Sequence, residues 1–211
     1  MPAGPWCFDQ VLGDGGVMPA ERHGYDVIYA DPPWAFNSNS VEKPGRNPRR
    51  HYQTMSTEAI AAMPVEDLCK PNAMLWMWIP GPLLMLAHHL IVMDAWGFKP
   101  SAIGFTWIKL KGQSGLFVTA GDLHTGNGFT TRKNAEFCVI GKRGRSLRVD
   151  AGVHEVVMSP VREHSRKPDE ARDRIRRYVG PDRKILELFA RQPWPGAFVW
   201  GNQATKFQPA K

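Results

Sequence analysis

Apolar residues along this chain gather into short runs separated by amphipathic or polar stretches. Runs at 26–30, 73–79, 101–110, 136–141, 184–189 and 197–200 are rich in β-branched, aromatic and aliphatic side chains, and each predicts a strand. Helical patterns lie between them. One spans 57–68, with Ser56 as cap and Glu58 in its first turn, and a second spans 82–95, ending before Gly97. A third has Pro168 at its first position, Asp169 and Glu170 in its first turn, and Arg174, Arg176 and Arg177 near its end, before Gly180. That order suits both capping and the helix dipole. The alternation predicts an α/β sheet with helices on both faces, in which ligands bind beyond the carboxyl ends of the strands.

Two stretches interrupt the alternation. Segment 35–53 is rich in Asn, Ser, Gly and Pro and carries Lys43, Arg46, Arg49, Arg50 and His51; segment 111–133 is glycine-rich and carries Asp122, His124, Asn127 and Arg132. Loops of this length without structure of their own are usually functional or disordered, so both are expected to face a substrate. The 211 residues suit a single domain spanning 1–211, with these two loops as its elaborations.

Charge narrows the partners. Twenty-seven Lys and Arg against twenty Asp and Glu give a net charge of +7, which favours a polyanion, with nucleic acid first. Cys7, Cys69 and Cys138 are odd in number and widely spaced, so neither a disulfide framework nor a zinc site is expected. No metal site is expected elsewhere; His88 and His89 are neighbours pointing about 100° apart on a helix. The opening Met1-Pro2-Ala3-Gly4-Pro5 does not read as a signal peptide, and no uninterrupted apolar stretch reaches the ~18 residues that span a bilayer. A cytoplasmic protein without a membrane partner is the expectation.

The chemistry concentrates at Asp31-Pro32-Pro33-Trp34, directly after the apolar run 25–30. The tetrapeptide therefore sits where a buried strand ends. Two consecutive prolines lack backbone donors and hold the chain in an extended turn whose carbonyls stay free to accept. An exocyclic aromatic amine has its lone pair delocalised into the ring. Accepting its hydrogens with the Asp31 carboxylate and the Pro32 carbonyl would localise that pair and make the nitrogen a nucleophile, with Pro33 shaping the turn and Trp34 stacked on the base. The basic segment holding Lys43, Arg46, Arg49 and Arg50 follows directly, and phosphate contact is its expected role. The arginines of 173–177 read instead as a solvated helix face.

The motifs then continue in order. Tyr52-Gln53-Thr54-Met55-Ser56 is followed by Leu75-Trp76-Met77-Trp78, Trp96-Gly97-Phe98, Trp107-Ile108-Lys109 and Arg132-Lys133-Asn134-Ala135-Glu136. After these come Arg162, Ser165-Arg166-Lys167-Pro168-Asp169-Glu170, the segment from Lys184 through Glu187, Leu188 and Phe189 to Arg191, and Gly201-Asn202-Gln203. Over residues 25–203 this series resembles the DPPW adenine N6-methyltransferases, typified by the catalytic subunit of the eukaryotic messenger-RNA methyltransferase, with many small bacterial and phage members.

The resemblance implies a Rossmann-like class I S-adenosylmethionine-dependent fold in permuted order, with the catalytic motif before the cofactor-binding strand. It implies that Lys167 neutralises the methionine carboxylate of S-adenosylmethionine, and that Glu187, Leu188, Arg191, Gln192, Asn202 and Gln203 hold its ribose and adenine end, with Asp31 nearby. Tyr52, Arg132 and Asn134 join the basic loop as expected substrate contacts. Where eukaryotic members follow the arginine with a polar pair, Gln192, Pro193 and Trp194 stand here, and only Gln192 could substitute. Asp9 and Asp14 are alternative counterparts of the family's upstream adenine contact. Adenine in DNA is the expected substrate, with RNA as the alternative polymer and a catalytically silent nucleic-acid-binding subunit as the alternative role. Target choice would fall to the two loops or to a second subunit, either a second copy or a related chain.

Overall fold

The computed structural model describes residues 24–35, 54–112, 117–126, 131–163, 165–204 and 206–207. Seven strands form one sheet: β1 (Tyr25–Ala30), β2 (Cys69–Ile79), β3 (Lys99–Leu110), β4 (Ala135–Arg143), β5 (Val156–Pro160), β6 (Ile185–Leu188) and β7 (Phe198–Trp200). Their spatial order is β5-β3-β4-β2-β1-β6-β7. β1 lies inside the sheet beside the central β2, parallel to β2 and to β6, so that Ala30 sits between Met77 and Leu188. All six β1 residues are buried, as expected of a parallel strand covered on both faces. β4 runs antiparallel to both neighbours. The carboxyl ends of β1, β2, β3 and β6 therefore share one edge with the amino end of β4.

Alternate residues feed two cores. Ile28, Leu75, Met77 and Leu186 pack on one face against Ile60, Val92, Met93 and Trp96. Val27, Tyr29, Met74, Trp76, Trp78 and Phe105 pack on the other against Ala171, Ile175 and Val179. The helices behind these contacts are α1 (Thr57–Ala61), α2 (Gly81–Met85), α3 (His88–Ala95) and α4 (Asp169–Val179). The Rossmann-like α/β arrangement with helices on both faces is borne out, and the DPPW turn precedes the Glu187 strand as expected. Among the described residues no helix is long and apolar enough to cross a membrane.

Several local expectations are corrected. The helix expected over 57–68 stops at Ala61, because Pro64 cannot continue it, and a short 3-10 turn (Glu66–Leu68) follows. Ser56 caps it as expected, its Oγ accepting from the Ala59 amide at 3.2 Å. The helix expected over 82–95 is broken at Ala87, whose φ of 59° is left-handed. Strand β5 was not foreseen. The arginines of α4 are not a solvated face. Arg174 donates to the carbonyls of His154 and Val156, Arg176 to those of Pro181, Arg183 and Gly196, and Arg177 to Asp150, so they clamp loops to the helix.

Candidate active site

The chain leaves β1 at Asp31 and turns at once. The Trp34 amide donates to the Pro32 carbonyl at 2.8 Å, and the Met55 amide donates to the Pro33 carbonyl at 2.8 Å. The Ala35 amide returns a bond to the Met55 carbonyl at 2.8 Å, which clamps the Thr54-Met55-Ser56 segment onto the turn. The prolines' carbonyls are thus not free as expected: Pro33 is engaged, while the Pro32 oxygen retains one lone pair. Trp34 also departs from expectation. It is 3% exposed, packed in the core, and its Nε1 donates to the Trp78 carbonyl at 2.9 Å, so this geometry leaves it no open face for a base. Its role here is to fix the turn. Trp78 extends the connection, donating its own Nε1 to the Tyr29 hydroxyl at 2.8 Å and lying 5.7 Å beneath the Lys167 ammonium.

Four charges alternate along this edge. Lys167 Nζ lies 2.8 Å from Asp31 Oδ2 and 3.4 Å from Glu136 Oε2, and Lys109 Nζ lies 2.5 Å from Glu136 Oε1. Burial disfavours the Lys167 ammonium, yet Asp31 and Glu136 outweigh it and hold its pKa above the ordinary lysine range. Burial likewise works against the Glu136 carboxylate, but Lys167 and Lys109 bring its pKa down to about 2. The four groups form one continuous chain of ion pairs, Asp31–Lys167–Glu136–Lys109. Antiparallel β4 makes this possible, because it starts at the edge where the other strands end.

Beside it opens a pocket enclosing about 330 Å³ of space continuous with solvent, lined by Tyr29, Asp31, Ser165, Arg166, Lys167, Arg172, Glu187, Phe189, Arg191, Gln192 and Phe207. It lies between β1 and β6, where successive connections leave the sheet in opposite directions, the usual location of ligands in such sheets. Two of its residues are held at left-handed φ without being glycine, Ser165 at 63° and Phe189 at 62°. Such strain is common at ligand clamps. Glu187 Oε1 accepts from Arg172 at 2.5 Å, whereas Glu187 Oε2 is buried without a hydrogen-bond partner. Burial raises the Glu187 pKa to about 7 despite Arg172, with Asp31 and Asp169 adding to the rise. Gln192 Nε2 donates to Asp169 Oδ1 at 2.5 Å, and Gln192 Oε1 is buried and likewise unpartnered.

Sequence reading thus finds Asp31, Lys167, Glu187, Arg191 and Gln192 in one pocket. It does not find its other expected members there. Leu188 is a core residue at 1% exposure, and Asn202 and Gln203 lie in the turn after β7, where Gln203 Oε1 accepts from Lys206 at 3.3 Å. Arg132 is exposed, and Asn134 holds the Lys109 amide through its carbonyl at 2.8 Å; neither lines the pocket. Tyr52, Lys43, Arg46, Arg49 and Arg50, with Asp9 and Asp14, lie outside the described residues. Lys109, Glu136, Asp169, Arg172 and Tyr29 were given no role in the site from the sequence. Lys109 and Glu136 carried a signal, as ionisable residues inside apolar strand-forming runs. Asp169 was read only as a first-turn helix residue within its motif, and Arg172 carried no signal, being indistinguishable from the other charges of its helix. Among the described residues no group of three or more His, Cys, Asp and Glu is placed to hold a metal ion.

The model of the MT-A70 family matches residues 25–203. The Type II methyltransferase M.MunI of Mycoplasma sp is 25% identical over 197 residues, covering 85% of this chain and 78% of that protein. The N6-methyladenosine RNA methyltransferase MTA1 of Cryphonectria parasitica is 29% identical over 197 residues, covering 90% of this chain and 54% of that protein. The human N(6)-adenine-specific methyltransferase METTL4 is 32% identical over 201 residues, covering 89% of this chain and 39% of that protein. The chain therefore spans most of the first relative, about half of the second and less than half of the third.

Proposed function

This chain belongs to the MT-A70 family of methyltransferases, and on that premise we propose that it transfers a methyl group from S-adenosylmethionine to the exocyclic N6 amine of adenine in DNA. The observation that carries the reading is the meeting, at one edge of the sheet, of the Asp31–Lys167 pair with a pocket holding two buried, unpartnered acceptors, Glu187 Oε2 and Gln192 Oε1. A nucleoside with ribose hydroxyls supplies the donors those acceptors lack, so the residues present fit the cofactor. Glu187 and Gln192 would hold its ribose, Arg191 would border the same end, and Lys167 would meet its carboxylate. Bound S-adenosylmethionine supplies a methylsulfonium, an electrophile that needs no metal.

The chain's own residues do the rest. Asp31 accepts one hydrogen of the amine, and the remaining lone pair of the Pro32 carbonyl accepts the other; the nitrogen sheds one proton on gaining the methyl, and the Asp31 carboxylate would receive it. Pro33, pinned by Met55, keeps the two acceptors in fixed relation. Lys167, tethered to Glu136, supplies positive charge beside Asp31. Such a site works by positioning and electrostatic preorganisation. In duplex DNA the base must be turned out of the stack, at a cost of a few kcal/mol. The basic segment 35–53, which follows the Asp31 turn directly in sequence, and the 111–133 segment would contact phosphates.

DNA is proposed because the chain accounts for most of the Type II methyltransferase but only about half of the RNA-named relative. The latter supports RNA as the second reading. Purified protein would be incubated with methyl-labelled S-adenosylmethionine and matched duplex DNA, single-stranded DNA and RNA, and the labelled nucleoside identified by mass spectrometry. Labelled 6-methyldeoxyadenosine is expected. Labelled 6-methyladenosine alone would transfer the proposal to RNA, and label in protein but not in nucleic acid would end it.

A further inference from the structure

Asp169 does not line the pocket, yet it determines which atom of Gln192 the pocket receives. Its carboxylate is held by Arg162 at 2.6 Å and by Arg166 and Arg172 at 3.8 Å each, and its pKa is lowered by its Arg162 and Gln192 hydrogen bonds, against partial burial. An ionised carboxylate has no hydrogen to give. Gln192 must therefore meet it with Nε2, as the 2.5 Å contact records, and turn Oε1 the other way. Pro193 restricts the Gln192 backbone, and the bond to Asp169 holds the amide end of the side chain. Gln192 is 9% exposed and Glu187 5%, and each presents one buried oxygen without a donor. Folded proteins seldom leave such acceptors unmatched without a reason.

We propose that Asp169 is a positioning residue that fixes Gln192 as a hydrogen-bond acceptor for a ribose hydroxyl of the cofactor, making this corner of the pocket selective for an intact ribose diol. The proposal deepens the cofactor reading above and rests on it. Glu187 supplies the second acceptor, and Arg172, bonded to Glu187 and close to Asp169, ties the two together.

The test measures binding of S-adenosylhomocysteine and of its 2′-deoxy and 3′-deoxy analogues by titration calorimetry, without turnover. Wild type is expected to prefer the parent over at least one analogue by about tenfold, the scale of one hydrogen bond made to a buried acceptor. Q192M should lose that preference. D169N should lose it too, because the new amide can donate to Gln192 Oε1 and let the glutamine flip. In D169N/Q192E the amide would donate to the new carboxylate, leaving its second oxygen to accept, so the preference should return. D169E, which keeps an acceptor-only partner, should retain it. Restoration by the reciprocal pair is not expected of a merely structural role. Melting of the unliganded variants checks folding; should D169N not fold, the preference in Q192M decides the matter. Undiminished preference in D169N or Q192M, or its absence in the reciprocal pair, would overturn the proposal while leaving the cofactor reading intact. Failure of wild type to bind S-adenosylhomocysteine would instead bring down the cofactor reading, and this inference with it.

Discussion

Glu136 and Glu187 sit at the same edge of one sheet in opposite circumstances. Glu136 lies between two lysines, with both oxygens engaged and its pKa near 2. Glu187 has one arginine, one oxygen with no partner, and a pKa near 7. The first environment is complete before anything binds. The second is incomplete, and a buried acceptor left unmatched costs about 1–3 kcal/mol. The contrast teaches how the proposed site divides its work: a chain of mutually paired charges holds the end assigned to chemistry, and an open set of acceptors reserves binding energy for the proposed ligand.

Removing Asp31 breaks the paired end most severely. D31A is expected to lower methyl transfer by at least about a hundredfold, the scale seen when a preorganised catalytic group is removed. Binding of S-adenosylhomocysteine by calorimetry should stay within a few fold. A comparable loss in both measurements would mean that the two ends are not separable.

E136Q comes next. It leaves the Lys109 and Lys167 ammonium groups without their shared carboxylate, at an expected loss of about 1–3 kcal/mol in urea unfolding at neutral pH, less than for a deeply buried pair. Glu136 has a depressed folded pKa, so its stabilisation is present above about 4.5 and is lost as pH falls towards about 2. The gap between wild type and variant should close over that window.

The opposite sign applies to Glu187. Its folded pKa is raised, so the unliganded protein binds more protons than the unfolded chain between about 4.5 and 7, and loses stability as pH rises through that range. E187Q should flatten this slope. Because the ionised carboxylate is the better acceptor, wild-type affinity for S-adenosylhomocysteine should rise from pH 6 to 8. E187Q should bind about tenfold more weakly at pH 8, with no such rise. A pH-independent wild type would remove the contrast.

The effect of W34F falls on stability more than on chemistry. It deletes the bond to the Trp78 carbonyl and part of a buried ring, and should cost about 1–3 kcal/mol of stability. Methyl transfer should fall modestly, far less than in D31A. A loss as large as that of D31A would restore a direct contact between Trp34 and the base.

The central strands were legible because two-sided burial writes itself as continuous apolar sequence, as in Tyr25–Ala30 and Ile185–Leu188. Helix α4 was legible from its caps and charges. Strand β5 was not, because Val156 and Met158 on this edge strand are exposed and its Val-Val-Met-Ser-Pro run is short. The break at Ala87 carries no glycine or proline to announce it. In the site, residues legible from motif order were those whose own side chains enter the pocket. Asp169 acts through another side chain, Arg172 lines the pocket without belonging to any of the motifs, and Glu136 meets Lys167 from a strand running the other way; only folding brings such pairs together. Trp34 was misjudged because an aromatic beside a catalytic carboxylate serves equally well as core, and the Trp78 carbonyl within reach decided it.

The reversal of β4 has a further consequence. It brings the β3–β4 connection to the rim, where Lys111 bonds the Asp122 carbonyl and Gly126 pairs with Lys133, so the connection is stapled at its base. Chain added beyond those staples is entropically inexpensive, since doubling a flexible loop costs only about 0.6 kcal/mol. The connection can therefore lengthen, shorten or be exchanged while Asp31, Lys167 and Glu187 stay in place, so that the target preference proposed for it could diverge as a detachable cassette on an unchanged scaffold.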